Sequence, residues 1–214
     1  RALGGSAELR GNGVVVTRDA LQRSGGWPAD ALTEDLELST RLALAGVGVV
    51  PSVELVVREA PVAGLAALWT QRVRWAEGSA RRYLGLGPSI VRSPGLAIRR
   101  RLDLLAYGAQ LALPGVVLGA AAAVFLPIRG RRRSAVPALL VGSYALTAVA
   151  VAGVAIAELE PDGRPPVGSI AVRAVRTAVF SGLWLLVVPV ALLRIALVGG
   201  ELRYRKTTHR RVDC

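Results

Sequence analysis

The chain has 214 residues, of which 52% are hydrophobic, with a mean hydropathy of +0.45 and a formal net charge of +12. That is too apolar for an ordinary water-soluble domain, and the positive charge is arginine throughout, apart from Lys206. A lone cysteine, Cys214, and a lone histidine, His209, exclude an intrachain disulfide, a cysteine-based metal centre and a histidine cluster.

The sequence contains no methionine, not even at position 1. We therefore expect a processed form or the C-terminal piece of a longer chain. The arginines gather at the ends of apolar runs, at 99–101, 129–133 and 203–211. Such placement favours a membrane protein with basic cytoplasmic flanks over a nucleic-acid binder.

Residues 1–62 read as α/β material. "GNGVVVT" (11–17) predicts a strand after a glycine-rich turn, and "RDALQRSGGW" (18–27) a short helix stopped by Gly25 and Gly26. A helix is predicted over 34–45, with Leu38, Leu42 and Ala45 on one stripe, Thr33 as its N-cap and Gly46 as its stop. "VGVVP" (47–51) and "VELVVREA" (53–60) predict two short strands. Two or three strands with two helices are too few for a doubly wound domain, and look like its second half.

Residues 63–84 predict a helix whose mixture of leucine, tryptophan and arginine suits the headgroup layer of a membrane. A loop carrying Gly85, Gly87, Pro88, Pro94 and Gly95 is expected to follow. Three apolar segments come next, at 102–128, 135–157 and 177–200. Each meets the roughly 20 residues that a bilayer crossing requires. The positive-inside rule puts the arginine-rich loop near 130 and the tail in the cytoplasm and the acidic stretch 158–163 outside. The first segment then has basic flanks at both ends, so it is either re-entrant, broken near Pro114 and Gly115, or an exception to the rule.

Two short motifs carry chemistry. "TED" (33–35) places two carboxylates in the first turn of a helix, where acids also serve simply to complement the helix dipole. "QRVRW" (71–75) begins 36 residues after Asp35. On a helix, Gln71, Arg74 and Trp75 stand at i, i+3 and i+4 on one face. An arginine fork suits a diphosphate, an indole stacks on a sugar ring, and an amide orients hydroxyls. The alternative for this helix is a membrane-surface anchor.

Together, "GNGVVVTRDAL", "GGW", "LTEDLELSTRLALAG", "EAP" and "QRVRW" resemble the second half of the membrane-bound, inverting family 2 glycosyltransferases. That group makes cellulose, hyaluronan, chitin, poly-N-acetylglucosamine and some glycolipids. The resemblance covers residues 4–78, with apolar segments following where the group has membrane helices. It implies the C-terminal, acceptor-side half of a GT-A nucleotide-sugar transferase domain at 1–62. An interfacial helix and loop would occupy 63–100, an all-α membrane region 101–200 and a basic cytoplasmic tail 201–214.

The resemblance further implies that Asp35 is the general base, with Glu34 and Thr33 holding the acceptor and the local geometry. Gln71, Arg72, Arg74 and Trp75 would bind the diphosphate and acceptor. Tyr204, Thr207 and His209 fit weakly a gating segment of some members. A divalent metal, Mg2+ or Mn2+, is expected on an earlier DxD motif, which residues 1–30 do not contain; no metal ligands are expected here, and this segment alone should not catalyse. The implied partners are a nucleotide-sugar, a polysaccharide or lipid acceptor and membrane lipids, with no nucleic acid. The implied place is the inner membrane, crossed several times, with the catalytic part cytoplasmic. The expected activity is extension of a polysaccharide. The alternatives are a glycolipid synthase acting on an acceptor such as diacylglycerol, and a non-catalytic membrane scaffold or transport subunit.

Overall fold

The computed structural model describes residues 8–9, 11–50, 52, 57–60, 62, 64–125, 135–159 and 165–198. Eight helices occur among them: α1 (Arg18–Arg23), α2 (Glu34–Leu44), α3 (Leu65–Arg92), α4 (Ile98–Ala109), α5 (Leu113–Phe125), α6 (Val136–Leu159), α7 (Val167–Ser181) and α8 (Trp184–Val198). The chain forms two compact units, one of residues 1–111 with 190–214, the other of residues 112–189.

In the first unit α1 and α2 form as expected. Thr17 caps α1, its hydroxyl accepting from the Ala20 N–H at 3.2 Å. At the end of α2 the Val47 N–H donates back to the Leu42 carbonyl at 2.8 Å. Gly46 takes the left-handed conformation that this reversal needs, with φ +73°. One face of α2 buries Leu38 and Leu42 with Leu9 and Ala20, against Val14, Val16, Leu21, Val47 and Val49. Its last turn contributes Ala43 to a second cluster with Ile90, Leu96 and Leu104. Each fully buried leucine or isoleucine contributes roughly 1.5–3 kcal/mol.

The expected strands take a different form. Val14 and Val16 turn inward while Val15 is 89% exposed, and Val47 and Val49 turn inward while Val50 is 74% exposed. That is the two-residue alternation of a strand. Yet among the described residues there is no strand beyond an isolated bridge at Val62. A strand needs a neighbouring backbone to complete its hydrogen bonds, and these segments have none among the described residues. Of the segment predicted at 53–60, residues 53–56 lie outside the described set, as does Pro51.

Helix α3 is longer than its sequence suggested. It runs 28 residues through Gly85, Gly87 and Pro88, where a loop was expected. Packing accounts for the difference: Ile90, beyond Pro88, is completely buried in the second cluster, and tertiary burial overrides the low helix propensity of glycine and proline. Helix α4 packs back on α3, with Gly108 so close to the Tyr83 ring that a Cβ there would lie 2.9 Å from Cδ1.

In the second unit α6 packs against both α5 and α7. Gly153 of α6 approaches Ala174 and Ile170 of α7, 3.7 and 3.9 Å from where its Cβ would be. Small residues at such a crossing are typical of helices that associate in lipid. Among the described residues two helical stretches are long and apolar enough to cross a membrane, Val136–Glu158 and Val167–Val198. The second combines α7 and α8 and starts ten residues before the expected segment at 177, taking in Arg173 and Arg176. The segment expected at 102–128 is broken at 110–112, before Pro114, and counts as a third crossing only if α4 and α5 act as one span.

Candidate active site

The first turn of α2 carries the TED triplet, but Thr33 does not cap it. Thr33 stands at the N-cap position with no hydrogen bond from its side chain to the helix. Its hydroxyl is buried and packs against Gly78 of α3. A Cβ on Gly78 would lie 2.6 Å from both Thr33 Oγ1 and Cγ2, closer than side-chain carbons approach. The expected cap is therefore replaced by a close crossing of α2 over α3, for which residue 78 must lack a side chain.

Asp35 follows two residues later and is half-buried. Its backbone is fixed from within the helix and from outside. The Ser39 hydroxyl donates to the Asp35 carbonyl at 2.8 Å and accepts from the Leu9 N–H at 2.7 Å. Arg82 of α3 donates from one terminal nitrogen to the Leu36 carbonyl at 3.1 Å and to Glu8 Oε1 at 2.7 Å. Gly11, with φ +79°, lies over the carboxylate, and a Cβ there would come 3.2 Å from Asp35 Oδ2. Burial pushes the Asp35 carboxyl above its ordinary pKa; the Glu34 carboxylate adds to the shift, while backbone N–H groups and Arg82 oppose it. Desolvation of this kind makes a carboxylate a better proton acceptor.

The second motif lies in the first half of α3. Gln71, Arg74, Trp75, Gly78 and Arg82 fall within an arc of about 100° on a helix of 3.6 residues per turn. The stripe that carries the QRVRW side chains is thus the one that meets α2. Gly78 contacts Thr33 one turn after Arg74, and Arg82 reaches the Leu36 carbonyl one turn later. Arg72, beside this stripe, stacks on Trp75 with its guanidinium carbon 4.5 Å from the ring centroid. Burial lowers the pKa of Arg72 from its ordinary value. Just off the stripe, the buried Glu77 carboxylate accepts from Arg81 at 3.0 and 3.1 Å and lies 3.9 Å from Arg194 of α8.

The structure therefore brings the TED turn to the QRVRW helix. The contacts that join them, through Glu8, Gly11, Gly78 and Arg82, were not read from the sequence. A glycine four residues after Arg74, on the same face, was the available signal. Tyr204, Thr207 and His209 lie outside the described residues. Among the described residues no three His, Cys, Asp or Glu side chains gather as a metal site would require. These side chains do not fit a complete divalent-ion site.

Residues 1–157 match the model of the glycosyl transferase family group 2. The beta-monoglucosyldiacylglycerol synthase of Synechocystis sp. is 33% identical over 96% of this chain and 43% of its own length. The synthases of the same name from Trichormus variabilis and Nostoc sp. are each 42% identical over 50% of this chain and 22% of their own length. The chain thus spans less than half the length of these relatives. No solved structure matches it.

Proposed function

Because this chain belongs to the glycosyl transferase family group 2, we propose that its protein transfers a hexose from a nucleotide-sugar to a lipid acceptor such as diacylglycerol, at the cytoplasmic face of the inner membrane. The observation that supports this reading is the α2–α3 crossing, in which Thr33 meets Gly78 and Arg82 reaches the Leu36 carbonyl, on the helix stripe that also carries Gln71, Arg74 and Trp75. The lipid acceptor is favoured over a growing polysaccharide because relatives aligned along nearly the whole chain, or half of it, are named for glucosyldiacylglycerol synthesis.

In this reading Asp35 takes the proton of the acceptor hydroxyl as that oxygen attacks the anomeric carbon. The bond from that carbon to the diphosphate breaks on the opposite face, so the configuration inverts. Arg74 offsets charge developing on the diphosphate, as fixed cations do where charge appears in a transition state. Gln71 orients hydroxyls. Trp75, with Arg72 stacked on it, offers its other face to a sugar. Glu34 and Thr33 keep the acceptor end and the turn in place. A divalent ion, Mg2+ or Mn2+, would assist departure of the diphosphate from ligands outside these residues. In the same reading helix α3 lies in the headgroup layer, and the crossing of the bilayer falls to the two stretches that are long and apolar enough for it.

The test uses the full-length protein in vesicles containing diacylglycerol, with a nucleotide-hexose labelled in the sugar. Label is expected in a single chloroform-soluble glycolipid. Label found only in an ethanol-insoluble polymer would overturn the lipid acceptor and restore the polysaccharide reading.

A further inference from the structure

Arg82 is a buried cation that the reaction described above does not use. Its side chain is 2% exposed and that of its partner Glu8 is 18% exposed. One terminal nitrogen donates two hydrogen bonds, one to Glu8 Oε1 at 2.7 Å and the other to the Leu36 carbonyl at 3.1 Å. Leu36 follows Asp35 directly. The segment that begins at Glu8 is also tied to α2 by the Leu9 N–H on Ser39, whose hydroxyl holds the Asp35 carbonyl, and it ends with Gly11 against the Asp35 carboxylate.

We propose that Arg82 is a positioning residue for the base: it ties Glu8, the Leu36 carbonyl and α3 together, and so holds both the Asp35 turn and the Gly11 backbone that covers its carboxylate. Stability alone gives a weak reason for such an arrangement. Buried ion pairs replaced by neutral side chains of similar volume are often no less stable, whereas removing one partner alone is costly. A planar guanidinium, in contrast, serves two acceptors in fixed directions, which lysine, a compact charge on a flexible stem, does poorly. Displacing a reacting group by about 1 Å can cost on the order of 100-fold in rate. The inference rests on the reading of Asp35 as the base.

The test measures kcat, KM for the nucleotide-sugar and melting temperature in the full-length protein. The variants are Arg82→Met, Arg82→Lys, the double variant Glu8→Gln with Arg82→Met, and Asp35→Asn. Arg82→Met is expected to lower kcat by about 10- to 100-fold with little change in KM, and also to lower the melting temperature. The double variant should regain the melting temperature without regaining kcat, and Arg82→Lys should recover part of kcat. If Arg82→Met does not fold, the double variant and Arg82→Lys carry the comparison. A kcat that returns with the melting temperature in the double variant, or that never falls, overturns the positioning role. Turnover retained by Asp35→Asn would overturn the base assignment beneath it. A dead Asp35→Asn beside fully active Arg82 variants overturns the positioning role alone.

Discussion

Asp35 has contrary effects on stability and on chemistry. Burial disfavours its ionised form and raises its pKa above the ordinary 3.8. A carboxyl whose pKa is raised by folding stabilises the folded state below its unfolded pKa, and that contribution is lost as pH rises through the folded value. The ionised form of Asp35 is therefore a liability to folding, one that the proposed role as proton acceptor would explain. Asp35→Asn should melt at a temperature equal to or above that of the unmodified protein at pH 7, with the difference shrinking as pH falls into the acid range; calorimetry or a dye-based melt checks this. The rate should also fall as pH drops through the raised pKa, so the acid limb of kcat/KM should lie above pH 3.8. An acid limb at or below that value would detach Asp35 from the titration. The TED and QRVRW side chains were legible in the sequence because their chemistry is local to each motif. Arg82 was not: its acceptors, Glu8 and the Leu36 carbonyl, lie 74 and 46 positions away along the chain, and arginines on a basic helix look alike until one is seen to be buried.

Among the elements, the decisive contact is α2 over α3, and Gly78 permits it. Gly78→Ala would place a methyl group 2.6 Å from Thr33 Oγ1 and Cγ2. Overpacking of this kind costs about 1–3 kcal/mol, and here it would also move the turn that carries Asp35. We expect Gly78→Ala to lower both the unfolding free energy by that amount and the rate of sugar transfer. Thr33→Ala in the same chain should restore most of the stability, since it removes both atoms that clash, and the two changes should be clearly non-additive in a double-mutant cycle. Additive effects would show that the two helices do not meet at this pair. The bounds of α2 were readable to within a residue because an acidic first turn and Gly46 mark its ends. The end of α3 was not. Gly85, Gly87 and Pro88 announce a break, and only the cluster of Ile90 with Ala43, Leu96 and Leu104 shows why the helix continues. The valines at 14–16 and 47–50 carry a strand's alternation, but a sheet is a property of neighbours, and no sequence pattern in a single segment supplies those.

At the scale of the whole molecule, the testable feature is the apolar stretch of α6. Leu146 of α6 is 71% exposed, and its helix is apolar enough to cross a membrane. Leu146→Arg should raise the cost of insertion by about 2.5–3.5 kcal/mol, the range for arginine near a helix centre. The expected outcome is a lower fraction of protein retained in the membrane pellet after alkaline extraction, and an unchanged fraction would argue against α6 as a lipid-facing span. The proposed sugar transfer rests on membership of the glycosyl transferase family group 2 and on the α2–α3 crossing. The most direct test is the initial rate of hexose transfer to diacylglycerol by the full-length protein carrying Asp35→Asn, compared with the unmodified protein at pH 7. Loss of a general base predicts a fall of about 10²- to 10⁴-fold in a variant that stays folded and in the membrane. A rate within a few-fold of the unmodified protein would contradict the account.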